Sequence, residues 1–154
     1  MILPENKVST HEFCIQTKSF KTMLFTPTGF LLLRLAIAAS MFTHGLVRLP
    51  KLAKFSVWMV GNFEKSMIPK MLVLPFSYAL PVIEFIIGLL LLLGLFTKQS
   101  LFAGGIVMFL LLLGTGMIEN WEAVPSQLMH AAIFAILISN IHQNSYALDH
   151  MLNP

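Results

Sequence analysis

MLVLPFSYALPVIEFIIGLLLLLGLFTKQSLFAGGIVMFLLLLGTGMI, residues 71–118, contains only three ionisable side chains, Tyr78, Glu84 and Lys98. Two apolar runs, about 74–96 and 101–118, flank the short polar stretch Thr97–Ser100, and each is long enough to cross a hydrocarbon core of about 30 Å. A soluble helix of this length keeps a polar face, and these runs have none. The pattern predicts a membrane hairpin, and the rest of the chain extends it. Upstream, about 28–47 is apolar apart from Arg34 and His44 and is closed by Arg48 and Pro50. Downstream, Glu119, Asn120, Trp121 and Glu122 stop the third run at an interface, and a shorter fourth, about 126–141, carries His130 near its start. A span that short needs a thinned bilayer or shielding by protein. The expected fold is all-α, an integral membrane four-helix bundle occupying residues 28–152.

Composition supports that class. The 154 residues are 56% hydrophobic and 11% charged, where soluble domains carry about a quarter charged residues. Mean hydropathy is +0.79. The net charge of +3 comes from Lys and Arg beside the apolar runs, where they meet anionic lipid headgroups, so membrane lipids are the expected partner and nucleic acid is not. A single cysteine, Cys14, forms no internal disulfide and no CxxC pair.

Between the first two spans, Leu52, Phe55, Met59, Phe63 and Met67 recur at helical spacing while Lys51, Lys54, Asn62 and Lys65 fall on another face. This predicts an amphipathic helix over about 52–68, lying in the interface with Trp58 near the headgroups. Residues 1–27 have scattered charges and no continuous apolar core of a signal peptide. They read as a cytoplasmic tail whose segment 18–25 lies on the membrane surface. Four spans put both termini and the 97–100 turn on one side. Four cations on that side against five on the other do not set the orientation. The acidic 119–125 loop favours both termini inside, in a bacterial cytoplasmic (inner) membrane.

Charges inside spans cost at least about 2.5–3.5 kcal/mol and need compensation. At 1.5 Å rise per residue, Arg34 lies ~9 Å and Glu84 ~18 Å above the N-terminal surface, and His44 and His130 both ~24 Å, near Thr115. Arg34 and Glu84 are therefore expected to pair. Arg34, His44, Glu84, Thr115 and His130 are expected to converge, either as a register-fixing polar cluster or as a ligand pocket. An apolar cleft with two histidines and a carboxylate suits a quinone headgroup, which needs donors to its carbonyl oxygens and a proton source. Haem between His44 and His130 is the lesser alternative. Scattered methionines and the glycines at 88, 94, 104, 105, 114 and 116 read as packing residues and helix contact points.

Three pieces, LLLRLAIAASMFTHGLVRL (31–49), ALPVIEFIIGLLLLLGLFTK (79–98) and the terminal NSYALDHML (144–152), resemble the DoxX family of small four-span membrane proteins. The resemblance implies a link to membrane redox. The namesakes are subunits associated with a thiosulfate:quinone oxidoreductase, and relatives serve in oxidative-stress complexes or as maturation factors. It implies an auxiliary component of a quinone-linked system with membrane or peripheral redox subunits, and a homo-oligomer is compatible with it. The competing expectation is a non-catalytic membrane chaperone or assembly factor. The chain departs from the family pattern at Ala147, in its longer N-terminal tail, and in lacking the paired cysteines of electron-delivering relatives, which argues against thiol-based transfer.

Overall fold

The computed structural model describes residues 26–64 and 66–149, and all regular structure among them is helical. The N-terminal tail with Cys14 and the expected surface segment lies outside the described residues, as does Lys65. Helix α1 is Pro27–Arg48, with Thr26 accepting from the Gly29 amide at 3.1 Å as N-cap and proline in the first turn. After a 3₁₀ turn (Leu49–Lys51) come α2 (Leu52–Asn62), α3 (Lys70–Leu93), α4 (Thr97–Met117) and α5 (Val124–Ser139). The chain forms a helical membrane bundle: three helical segments, Pro27–Asn62, Lys70–Leu93 and Thr97–Met117, are long and apolar enough to cross a membrane, and the shorter apolar α5 completes the packing.

Two expected boundaries move. The interfacial helix ends at Asn62 rather than near Ile68, because the chain turns at Phe63, whose carbonyl accepts from the Ser66 hydroxyl. Met67 thus leaves the apolar face and is 94% exposed. Phe55, Met59 and Phe63 do pack inward, and Trp58 is exposed. The stretch Thr97–Ser100 is not a turn but the first turn of α4. The reversal is made by Gly94 and Phe96, both at positive φ. Glycine suits the first of these, since left-handed backbone carries little steric penalty without a Cβ.

Helix pairing follows the small residues. At Gly45 a Cβ would run into the backbone of Phe85, and at Gly88 one would run into the backbone of Phe42. The crossing of α1 and α3 is thus reciprocal, with the Phe42 and Phe85 rings 5.0 Å apart beside it. Likewise α4 meets α5 where the Phe134 ring sits on Gly104. In hydrocarbon, where apolar area gives no driving force between helices, such close approach is what holds them. The bundle therefore consists of two tight pairs, α1 with α3 and α4 with α5, more sparsely joined to each other.

Candidate functional site

Between the two pairs, at the end remote from Thr26, the helices part and leave a cavity of about 240 Å³ with α2 across it. His44, Glu84, Thr115 and His130 line it, as expected from their matched depths. Arg34 does not. Glu84, 1% exposed, is bound instead by Arg48, whose Nη1 donates to its Oε2 at 2.5 Å. The Arg48 guanidinium also lies over the Phe55 ring, 4.9 Å from its centre, a cation–π contact that helps hold a partly desolvated charge.

The expected Arg34–Glu84 pair is thus corrected, and the reason is reach. With Gly45 against Phe85 and Gly88 against Phe42, Glu84 stands level with about residue 46 of α1, so along the axis Arg48, one turn beyond His44 on the same face, is ~3 Å from it and Arg34 ~18 Å. The sequence does not show that register, and Arg48 read there only as the cation closing a span. Arg34, 3% exposed, finds its partners in the segment after α5: Nη1 donates to Asn144 Oδ1 at 2.8 Å and Nη2 to the Tyr146 carbonyl at 2.9 Å. Three residues on, the Asp149 carboxylate accepts from the amides of Phe96 and Thr97 at 2.7 and 2.8 Å. This supplies from elsewhere in the chain the cap that α4 lacks locally, since Phe96 offers none. Burial works against ionisation of Asp149. The donors of Thr97 and Phe96 and the nearby Arg34 guanidinium outweigh it, holding the carboxyl below its ordinary range.

The two histidines are not equivalent. Their rings stack at 6.2 Å. The Ser126 carbonyl lies 2.7 Å from Nδ1 of His130, so Nδ1 must carry a proton and donate. In the neutral ring Nε2 then accepts from the Ser40 hydroxyl at 2.8 Å. Both nitrogens of His130 are therefore committed to the protein. His44 makes no side-chain hydrogen bond among the described residues and is exposed, with its ring on the cavity wall. Thr115 is also engaged, its hydroxyl 2.8 Å from Gln127 Oε1 and 2.8 Å from the Leu111 carbonyl. Ser40, Ser126 and Gln127 left no distinguishing signal in the sequence, because single small polar residues in a span read as packing.

Chemically, the arrangement is a small apolar chamber with a neutralised ion pair on its wall and one uncommitted imidazole. Such a chamber favours an uncharged ligand that accepts a hydrogen bond, since a net charge would find no counter-charge left over. No curated protein and no solved structure matches the chain. The family model DoxX matches residues 29–121, α1 through α4 and the turn beyond, which is more than half the chain. With its helical membrane bundle and that match, the chain belongs to the DoxX family.

Proposed function

We propose that the cavity receives the ring of a membrane quinone, and that the protein is an auxiliary component of a quinone-linked membrane redox system. The observation that carries this reading is His44, an imidazole with no hydrogen-bond partner among the described residues, on the wall of a largely apolar chamber beside the Glu84–Arg48 pair. A neutral imidazole carries one ring N–H that can donate to a carbonyl oxygen and pass it a proton as electrons arrive. At about 240 Å³ the cavity falls below the roughly 300–1,000 Å³ of drug-sized ligands, which suits a single ring with its tail outside. Haem has less support, because both ring nitrogens of His130 are already bonded within the protein.

Quinone should co-purify with the wild-type protein under gentle extraction. Replacing His44 with Leu should weaken its retention by about 1–3 kcal/mol, the cost of a lost hydrogen bond, and leave the melting temperature in detergent unchanged. Replacing His130 with Leu should lower the melting temperature, since it breaks two internal bonds. Absence of quinone from the wild type, or retention unaffected by His44→Leu, would sink the redox reading.

The second reading is a membrane chaperone or assembly factor with no catalytic role. The internal satisfaction of His130, Thr115 and Glu84 favours it, as it is what a register-fixing cluster needs. Under either reading we place the protein in a bacterial cytoplasmic membrane with both termini inside, together with membrane or peripheral redox subunits or a second copy of the chain. A reporter active only in the cytoplasm should give signal when fused after Pro154, and signal from a fusion in the 62–70 loop instead would invert this orientation.

A further inference from the structure

The walls of the cavity differ in character. The charged and imidazole side chains, His44, Arg48, Glu84 and His130, stand on α1, α3 and α5, whereas α2 and α4 bring Trp58, Leu110 and Gly114 with the uncharged Asn62 and Thr115, and Phe63 follows α2. Two of the apolar wall residues also face outward: Trp58 is 58% and Leu110 44% exposed. Trp58 on α2 and Leu110 on α4 thus reach both the cavity and the outer surface, and α4 is apolar and long enough to cross a membrane, so an outward apolar side chain on it meets hydrocarbon. Helix α2 is fastened to α3, through the buried hydrogen bond between Ser56 and Ser77 at 2.7 Å and through Met59 in the core, and touches α4 only sparsely. At that loose edge the Phe63 ring rests on Gly114, its Cζ 3.1 Å from where a Cβ would stand. Unlike Phe134 on Gly104, which lies within the tight α4–α5 pair, this contact sits where the two helices otherwise barely touch.

Resting on the quinone reading of the same cavity, we propose that its ligand is dissolved in the bilayer and enters sideways, through the seam between α2 and α4, with Phe63 on Gly114 as the door. The ligand class is then a single uncharged ring on a hydrocarbon tail. The ring sits toward His44 and the Glu84–Arg48 pair, and the tail leaves past Trp58 and Leu110 into lipid. Entry from the aqueous side would require no tail and would be indifferent to the seam. This entry requires both.

Two probes with the same benzoquinone ring separate the cases, one bearing a decyl tail and one bearing none, measured for binding to the protein in lipid nanodiscs. Gly114→Leu fills the seam and should weaken binding of the tailed probe at least tenfold more than that of the tailless probe, whose ring meets the same added side chain at the cavity wall. Phe63→Ala, which removes the door without adding bulk, should raise the association rate of the tailed probe at least threefold with the protein still monodisperse. Equal weakening of both probes by Gly114→Leu, or an association rate unmoved by Phe63→Ala, would overturn the seam as the route. If the tailless probe binds and the tailed one does not, the cavity takes rings from water: the proposal fails while a ring site survives. Binding of neither probe to the wild type overturns the quinone reading itself, and the seam proposal with it.

Discussion

Leucine at position 88 is expected to prevent the bundle from assembling. Gly88 is buried, and a Cβ there would collide with backbone and Cβ atoms of Phe42 on α1, not with the far end of a flexible side chain. Relief requires the two helices to move apart. Because the contact is reciprocal, that motion also opens Gly45 against Phe85 and loosens the packing of Ile37, Met41, Leu80 and Ile87 around it. Overpacking a well-fitted site usually costs about 1–3 kcal/mol. Here the obstacle is backbone at a reciprocal helix crossing, so the expected cost is about 3 kcal/mol or more, a large share of a typical domain's roughly 5–15 kcal/mol. Gly88→Leu should appear as lost or aggregated protein in detergent, and Gly88→Ala as a clearly lowered melting temperature. A Gly116→Leu variant is the control, since nothing lies within 4 Å of a Cβ there. A Gly88→Leu protein melting like the Gly116→Leu one would show that α1 and α3 do not cross at these glycines.

The second large effect concerns Glu84. Replacing Arg48 with Leu leaves the carboxylate buried without its partner, and breaking a buried pair from one side costs about 3–5 kcal/mol. Replacing Glu84 with Leu should cost less, because the Arg48 side chain is 32% exposed and retains its contact over Phe55. The double replacement should lie well below the sum of the two. As control, the Arg34→Leu and Glu84→Leu effects should add within about 0.5 kcal/mol, as expected of residues without shared partners. The reading is reversible unfolding in mixed detergent. Strong coupling of Arg34 with Glu84, and none of Arg48 with Glu84, would restore the pairing that the depths of the spans suggest and overturn the one drawn here.

Much of this molecule is determined by its sequence alone. Long apolar runs in a chain with 11% charged residues have one stable solution in lipid, helices that satisfy their own backbone, and the regular 1.5 Å rise then fixes how deep each polar residue lies. That is why His44, Glu84, Thr115 and His130 were legible as a group, and why the resemblance carried by residues 31–49 and 79–98 agreed with the family match over 29–121.

Depth, however, says nothing about direction around the helix axis or about which of two cations reaches a carboxylate first. Tertiary structure decided that Glu84 belongs to Arg48. It decided equally that Arg34 is held by Asn144 and the Tyr146 carbonyl, and that Asp149 caps α4. Those partners come from an irregular segment more than a hundred residues away from Arg34, where no periodicity exists to be read. The inequality of the two histidines arose the same way. His130 is committed by Ser126, one turn before it, and by Ser40, a serine on another helix. Helix packing alone sets whether a hydroxyl ninety residues distant lies at 2.8 Å or out of reach, and so whether a histidine is structure or is left available for chemistry.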